Sequence, residues 1–142
     1  MPTILHTNNY SAKPLALMLK ELPPGFRLIT LEKVCKQELL EKAVHADYIL
    51  ASGNLPIDKE VIDAAKNLKM IQRTGVGINT LDLETIKEKG IPVYVNQGVN
   101  AHSVAEHTVL LILAVLKQLP MVDASVKRGE WRKQELGVQG RE

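Results

Sequence analysis

The chain has 142 residues, of which 45% are hydrophobic and 24% charged, with a formal net charge of +2. This length is sufficient for one domain with a sizeable buried core. Aromatic residues make up only 4% and no segment concentrates Lys and Arg, so the composition does not favour nucleic-acid binding.

The sequence also argues against secretion and membrane insertion. Cys35 is the single cysteine and cannot form an internal disulfide, as is typical of proteins from reducing compartments. The first ten residues lack the regions of a signal peptide. The longest apolar run, residues 109–116, is far shorter than the ~18 residues that span a bilayer. We therefore expect a cytoplasmic protein with no membrane or nucleic-acid partner.

Short apolar runs alternate with amphipathic segments along the first hundred residues. The predicted strands are 3–7, 26–31, 47–52, 69–73 and 91–96, and the predicted helices between them are 11–22, 35–46, 58–68 and 81–90. Ser11, Asp58 and Asp82 stand where helix N-caps are expected, and Gly90 ends the fourth helix. The alternation predicts an α/β fold, a flavodoxin-like doubly wound parallel five-stranded sheet with strand order 2-1-3-4-5 and helices on both faces.

A long helix is predicted over residues 100–120. Ser103 and Glu106 match a capping box, which predicts Ser103 as the N-cap, and Pro120 is expected to end the helix. Residues 109–116 are apolar on every face, so this helix should be buried on all sides and should pack against more than the predicted sheet. We therefore divide the chain into residues 1–99 and residues 100–142.

Four loops follow the carboxyl ends of the predicted strands, where ligands bind in open α/β sheets. They are residues 7–10, 52–54, 74–79 and 96–100, all rich in Gly, Asn, Ser and Thr. Any one of them could simply be a turn. Their occurrence along one edge of the sheet favours a site for a small polar or anionic ligand.

The loop after the fourth strand contains the pair Gly75 and Gly77. Thr80 stands where the dinucleotide fingerprint needs its third glycine, and no G-K-[ST] follows, so neither nucleotide-binding motif is present. A tight turn with successive backbone N–H groups can instead bind an anion such as a carboxylate. Arg73 precedes the loop and would either add positive charge or form a structural ion pair.

Other residue types give no catalytic or metal-binding arrangement. The four histidines are not at metal-ligand spacing, and each is expected to be solvated or structural; they are His6, His45, His102 and His107. Neither a nucleophile–histidine pattern nor a pair of carboxylates stands out. No metal site is expected.

Residues 73–106, "RTGVGINTLDLETIKEKGIPVYVNQGVNAHSVAE", resemble the substrate-domain signature of the D-isomer-specific 2-hydroxyacid dehydrogenases. That family includes phosphoglycerate dehydrogenase and hydroxypyruvate reductases. Its pattern is a strand, R-x-G-x-G, a helix, G-I-x-V, two nearby asparagines (Asn96 and Asn100 here) and S-V-A-E at the start of a long helix. The preceding residues are similar to the same family, so the resemblance covers essentially the whole chain.

The resemblance implies a substrate domain combined with a Rossmann-type nucleotide domain, and NAD or NADP as the cofactor of the whole protein. Backbone N–H groups of the glycine loop would hold the carboxylate of a small 2-hydroxy or 2-oxo acid. A homodimer would form through residues 100–142. The implied substrate-binding residues are Ser52, Gly53, Asn54, Arg73, Gly75, Val76, Gly77 and Asn100, and the implied cofactor-binding residues are Val76, Ser103 and Val104.

The chain departs from the family pattern at its end. The dinucleotide loop and the catalytic arginine, glutamate and histidine of the family would all lie beyond Glu142. No catalytic residue can therefore be assigned, and we expect a fragment that binds no cofactor and has no dehydrogenase activity by itself.

Two matters stay open at this point. A non-enzymatic binding or corepressor module built on the same scaffold is the main alternative, since the discriminating catalytic residues are missing. Receiver and flavin-binding modules match poorly, because residues 7–10 and 52–54 lack the acidic and phosphate-binding patterns that they need. The sequence does not identify the 2-hydroxy acid, 3-phosphoglycerate being one candidate, and does not distinguish NAD from NADP.

Overall fold

A computed structural model describes residues 1–131, and the chain divides after Gln97 into two units. The first unit contains a parallel five-stranded sheet in the order β2-β1-β3-β4-β5. Its strands are β1 (Thr3–His6), β2 (Arg27–Thr30), β3 (Tyr48–Ala51), β4 (Met70–Arg73) and β5 (Val93–Tyr94). The connecting helices are α1 (Ala12–Lys20), α2 (Lys36–Ala43), α3 (Lys59–Ala64) and α4 (Leu83–Glu88). The predicted fold class and strand order are confirmed.

The hydrophobic core lies on one face of the sheet. Leu5, Ile49 and Ile71 project from the three central strands and are at most 1% exposed. They form one buried cluster with residues of α2, α3 and α4, including Leu39 and Val61. The β1–β2 connection runs in the opposite direction across the sheet, so a right-handed crossover places α1 on the other face.

The second face of the sheet is less covered. Thr30, His6, Leu50, Gln72 and Tyr94 stand in register across the five strands. A groove of about 370 Å³ lies on this face, lined by Ile4, Phe26, Tyr48, Ile49, Leu50, Met70 and Gln72. Helix α1 contains no fully buried residue.

The helix boundaries in the first unit follow the predicted signals. The Asp58 carboxylate accepts a hydrogen bond from Val61 N at 3.2 Å, and the Asp82 carboxylate accepts one from Thr85 N at 3.1 Å. Both predicted N-caps are confirmed. Ser11 precedes α1 as predicted, but its side chain forms no capping hydrogen bond. Gly90 follows α4 with φ of +65°, the left-handed conformation that favours glycine at a helix end.

The second unit contains α5 (Ala101–Leu116) and α6 (Leu119–Lys127). The prediction that Ser103 caps the long helix is wrong: α5 begins at Ala101, Asn100 occupies the N-cap position, and Ser103 lies within the first turn. Pro120 does not end this helix either. The chain turns at Gln118, whose φ is +52°, and Pro120 lies in the first turn of α6, where its missing N–H costs nothing.

No residue of α5 is buried. Leu110, Leu111, Ile112 and Leu113 are 49% to 54% exposed, so the expectation that this helix packs against a further surface stays a prediction. Within residues 1–131, no single helix is long and apolar enough to cross a membrane, although α5 and α6 together reach that length across a 69° bend. Residues 132–142 of the predicted second region lie outside the described residues.

Candidate carboxylate-binding site

The loop between β4 and α4 offers a run of backbone donors. It lies at the carboxyl end of β4, and residues 75–79 are exposed. None of the amide N–H groups of residues 75–80 donates a hydrogen bond to an acceptor within residues 1–131. Consecutive amide groups without internal acceptors are suited to binding an anion. We refer to residues 75–80 as the amide cradle.

The carbonyl groups of Gly75 and Gly77 in the amide cradle are fixed by the rest of the unit. The Gly75 carbonyl accepts a hydrogen bond from Asn96 N at 3.1 Å, and the Gly77 carbonyl accepts one from Arg73 Nε at 2.7 Å. In a trans peptide the N–H points opposite to the C=O. The N–H group of Val76 therefore points away from Asn96 N, and that of Ile78 points away from Arg73 Nε.

Arg73 connects the amide cradle to the neighbouring strand end. It is only 5% exposed, and its Nη1 atom donates to the carbonyls of Ala51 and Ser52 at 3.3 and 3.2 Å. No carboxylate forms an ion pair with Arg73 among the described residues. The structural ion pair is therefore not formed, and the guanidinium instead positions the loops after β3 and β4.

Gly53 lies close to the same guanidinium. A Cβ atom added at Gly53 would come within 3.3 Å of Arg73 Nη2, which is closer than most such contacts. The glycine therefore lets the loop after β3 pass over the arginine. This gives a structural reason for Gly53, which the sequence assigned to substrate binding.

Ser52 is hydrogen-bonded to the loop after β1. It is 6% exposed, its Oγ atom donates to the Thr7 carbonyl at 2.9 Å, and its N–H donates to Thr7 Oγ1 at 2.9 Å. These bonds fix the ends of β1 and β3 relative to each other. Asn54 is exposed and donates from Nδ2 to Asn8 Oδ1 at 3.2 Å, so its amide group lies at the surface of the same edge.

Gln72 and Asn96 support the amide cradle from the β5 side and were not singled out in the sequence. Gln72 Nε2 donates to Asn96 Oδ1 at 3.1 Å and to the Arg73 carbonyl at 2.9 Å. Asn96 Nδ2 donates to the Thr74 carbonyl at 3.5 Å. The available signal was the position of Asn96 at the end of the fifth predicted strand.

The backbone conformation at residue 75 does not require glycine. Its φ does not lie in the left-handed region, and an added Cβ would meet nothing within 4 Å. The space beside Gly75 is therefore open, as it would be if a ligand approached the backbone there. Gly77 differs, because a Cβ there would lie 3.3 Å from Asn79 Oδ1.

The structure brings only some of the predicted site residues together. Ser52, Gly53, Arg73 and Gly77 are joined by the contacts described above. Asn100, Ser103 and Val104 belong to the second unit, at the beginning of α5, and all three are exposed. Their proposed proximity to substrate and cofactor stays a prediction.

Among the described residues, no histidine or carboxylate belongs to the amide cradle. His6, at the end of β1, is 2% exposed, and its Nε2 atom lies 3.2 Å from the Tyr10 hydroxyl. Burial lowers the pKa of His6, which favours the neutral ring. His45, His102 and His107 are exposed. Within residues 1–131 no group of three or more His, Cys, Asp or Glu side chains could hold a metal ion.

The resemblance assigns two valines of this chain to a nicotinamide cofactor. Val76 and Val104, which the resemblance places beside the nicotinamide, are 58% and 54% exposed, so both have apolar surface available to a flat ring. The sequence contains no G-x-G-x-x-G loop to bind the pyrophosphate. The contacts of Val76, in the first unit, and Val104, in the second, with a nicotinamide stay a prediction.

Known proteins of one family are similar to this chain. A sequence model of the D-isomer specific 2-hydroxyacid dehydrogenase catalytic domain matches residues 4–135. The D-3-phosphoglycerate dehydrogenase of Archaeoglobus fulgidus is 39% identical over 105 residues, which are 73% of this chain and 20% of the relative. The hydroxypyruvate reductase of Thermotoga maritima is 35% identical over 108 residues, which are 76% of this chain and 35% of the relative.

A solved structure, the NAD-dependent formate dehydrogenase from Staphylococcus aureus in complex with NAD, is also similar. It has a TM-score of 0.72 and 26% sequence identity, and the match covers 100% of this chain and 46% of that one. The chain thus spans 20% and 35% of the lengths of the two curated relatives and under half of the solved structure.

Proposed function

Because the chain belongs to the D-isomer specific 2-hydroxyacid dehydrogenases, we propose that it forms the substrate-binding part of an NAD- or NADP-dependent oxidoreductase of 2-hydroxy and 2-oxo acids. The observation that carries the proposal is the amide cradle, whose N–H groups donate to no acceptor within residues 1–131. A carboxylate is the group that every substrate of this class shares.

The amide cradle would hold the substrate by its carboxylate. Hydrogen bonds from neutral N–H donors to an ionised acceptor are stronger than those between neutral groups. Because the carbonyls of Gly75 and Gly77 are already fixed, the donors need little reorganisation when the acid binds. Holding the carboxylate fixes the orientation of the adjacent carbon, which carries the hydroxyl or oxo group of the substrate.

The redox step belongs to the cofactor, and the nicotinamide, when bound, donates or accepts the hydride at that carbon. Val76, in the amide cradle, would pack against the nicotinamide ring. No histidine or carboxylate lies in the cradle sequence, residues 75–80, so we assign no proton-transfer residue to this chain. The homodimer and the contacts of Asn100, Ser103 and Val104 are part of the same proposal.

A calorimetric titration with D-lactate and propane-1,2-diol tests the proposal. The two compounds share the carbon skeleton and the hydroxyl group, but only lactate has a carboxylate. We expect weak saturable binding of lactate and none of the diol. Equal binding of both, or no binding of lactate, would contradict the amide cradle as a carboxylate site.

The catalytic part of the proposal has a separate test. The purified chain, mixed with NADH and a panel of 2-oxo acids, should show no oxidation of NADH, because it lacks a pyrophosphate-binding loop and a proton-transfer residue. Turnover above the enzyme-free rate would show that the 142-residue chain is active alone.

A further inference from the structure

We propose that this edge of the sheet selects a small acid with a single anionic group and an uncharged remainder, and discriminates against phosphorylated acids such as 3-phosphoglycerate. The inference rests on the proposed function, since it takes the amide cradle as the carboxylate site. It narrows that function to one class of 2-hydroxy acid.

The loops around the amide cradle carry almost no charge. Residues 7–10, 52–54 and 74–80 contain no Lys, Arg, Asp or Glu. Arg73 is the cation next to them, but it is 5% exposed and bonded to the carbonyls of Gly77, Ala51 and Ser52. Its guanidinium holds the protein backbone and is not presented to a ligand.

The lysines at this end of the unit follow other strands or are paired with carboxylates. Lys13, in the first turn of α1, follows β1 and is on the face of the sheet opposite α4. Lys33 follows β2, which is three strands away from β4 in the sheet, or roughly 14 Å at the usual strand spacing. Lys36 is paired with Asp58 and Glu60, and Lys59 is paired with Asp63.

The nearest charges after the amide cradle are acidic. Asp82 and Glu84 occupy the N-cap and first turn of α4, directly after residue 80. A doubly charged phosphate ester close to these carboxylates would be repelled rather than attracted. The local charge therefore opposes a second anionic group on the substrate.

A substrate with two anionic groups needs two anion sites, and these loops provide one. Backbone amides can hold either a carboxylate or a phosphate. Whichever group occupies the amide cradle, the other would have no cationic partner in these loops and would lie near the carboxylates of Asp82 and Glu84, which is unfavourable. An acid with a neutral hydroxyl-bearing remainder has no such cost.

The side chains beyond the amide cradle match an uncharged remainder. Asn8 and Asn54 meet at 3.2 Å on the exposed surface of the edge, and Asn9 donates to the Glu32 carbonyl at 2.7 Å. Neutral amide groups can exchange hydrogen bonds with hydroxyl or carbonyl groups of a substrate. They do not neutralise a phosphate.

The test compares D-glycerate with 3-phospho-D-glycerate, which differ only by the phosphate, in NMR titrations of the chain at equal ionic strength. We expect D-glycerate to bind at least about tenfold more tightly, because one charge-assisted contact is missing for the phosphate. Tighter or equal binding of 3-phosphoglycerate would overturn the selectivity and leave the carboxylate site intact. Binding of neither acid would overturn the proposed function and the inference together.

A second variant tests the cause. Asn54→Lys introduces a cation on an exposed side chain of this edge, and Asn54→Gln is the neutral control of similar length. Asn54→Lys should raise the affinity for 3-phosphoglycerate relative to that for D-glycerate by about fivefold or more, whereas Asn54→Gln should leave this ratio within about twofold. If both variants bind the phosphorylated acid as the unmodified chain does, the missing cation is not the reason for the selectivity.

Discussion

The Nε atom of Arg73 donates a hydrogen bond to the carbonyl oxygen of Gly77 at 2.7 Å. The same side chain reaches the Ser52 carbonyl through Nη1 at 3.2 Å. One buried guanidinium therefore fixes two loops that come from neighbouring strands. The shape of the amide cradle depends on a residue that belongs to the strand before it.

Replacing Arg73 should destabilise the unit and weaken acid binding together. Arg73→Met removes charge-assisted hydrogen bonds to the Gly77 and Ser52 carbonyls, and we expect a loss of about 2–4 kcal/mol in the free energy of unfolding. Arg73→Lys should lose less, since an ammonium keeps the charge but not the fork geometry. Urea unfolding measures the stability of both Arg73 variants. The exposed Arg27→Met is the control, and its free energy of unfolding should change by less than about 0.5 kcal/mol. Unchanged stability of Arg73→Met would refute the positioning role.

Gly75→Ala should separate binding from stability. An added Cβ meets nothing within 4 Å in the unliganded chain, so the free energy of unfolding should stay the same or rise by up to about 1 kcal/mol. Lactate binding should weaken about tenfold or more, because the methyl group would occupy the space of the acid. Chemical unfolding and calorimetry on the same preparation give the two values.

The matched control is Gly90→Ala, at the other end of α4. Gly90 has φ of +65°, where a side chain costs about 1–2 kcal/mol, so this variant should be less stable but should bind lactate normally. If Gly75→Ala binds lactate as tightly as Gly90→Ala does, the open space beside Gly75 is not part of the site.

Stability should fall with pH below 4.5 because of Glu38. Its carboxylate accepts hydrogen bonds from Glu32 N at 2.8 Å and Lys33 N at 2.6 Å and pairs with Lys42 at 2.6 Å. The bond from Glu32 N first, then Lys42 and Lys33 N, lowers the pKa of Glu38 from 4.5 to about 2. The unfolded chain therefore binds this proton first, so the stabilisation is complete above pH 4.5 and is lost as the pH falls towards 2.

Urea unfolding midpoints between pH 6 and 2.5 measure this dependence. Glu38→Gln should flatten it over the window below pH 4.5. Glu41→Gln is the control on the same helix, since Glu41 accepts a hydrogen bond from the Gln37 side chain and from no loop N–H. Identical pH profiles for the unmodified chain and Glu38→Gln would show that the carboxylate does not hold the loop after β2.

The exposed surface of α5 should cause the chain to self-associate. Val109, Leu110, Leu111, Ile112 and Leu113 are 49% to 55% exposed, and a continuous apolar surface of this kind marks an interaction site. We expect dimers or larger species in sedimentation at micromolar concentration. Leu111→Asp should shift the chain towards monomer, whereas Leu17→Asp, at a leucine that is 60% exposed on α1, should not. A strictly monomeric unmodified chain would contradict this prediction.

The sheet could be predicted from sequence because its signals are local. The run 47–52 is largely apolar and is followed by the turn residues Gly53 and Asn54. Asp58 and Asp82 cap their helices through bonds to residues three positions away. Right-handed crossovers then leave few strand orders to consider. These features depend on neighbouring residues, and periodicity reports on them directly.

The error over Ser103 was a local ambiguity, whereas the omissions concern longer-range contacts. Ser103 and Glu106 match a capping box, but the same spacing also occurs inside a helix, and α5 starts at Ala101. The partners of Arg73 are backbone carbonyls of Ala51 and Ser52, about twenty positions earlier in the chain. Every residue has such carbonyl groups, so no side-chain pattern could have identified these acceptors.

Residue-level mapping of acid binding tests the central claim most directly. The 15N-labelled chain is titrated with D-lactate, and the amide shifts of the described residues are followed to saturation. Our account predicts that the largest saturable shifts belong to residues 75–80, with Val76 and Ile78 among them, and that these shifts are lost in Gly75→Ala. Saturable shifts centred elsewhere, with residues 75–80 unaffected, would contradict it.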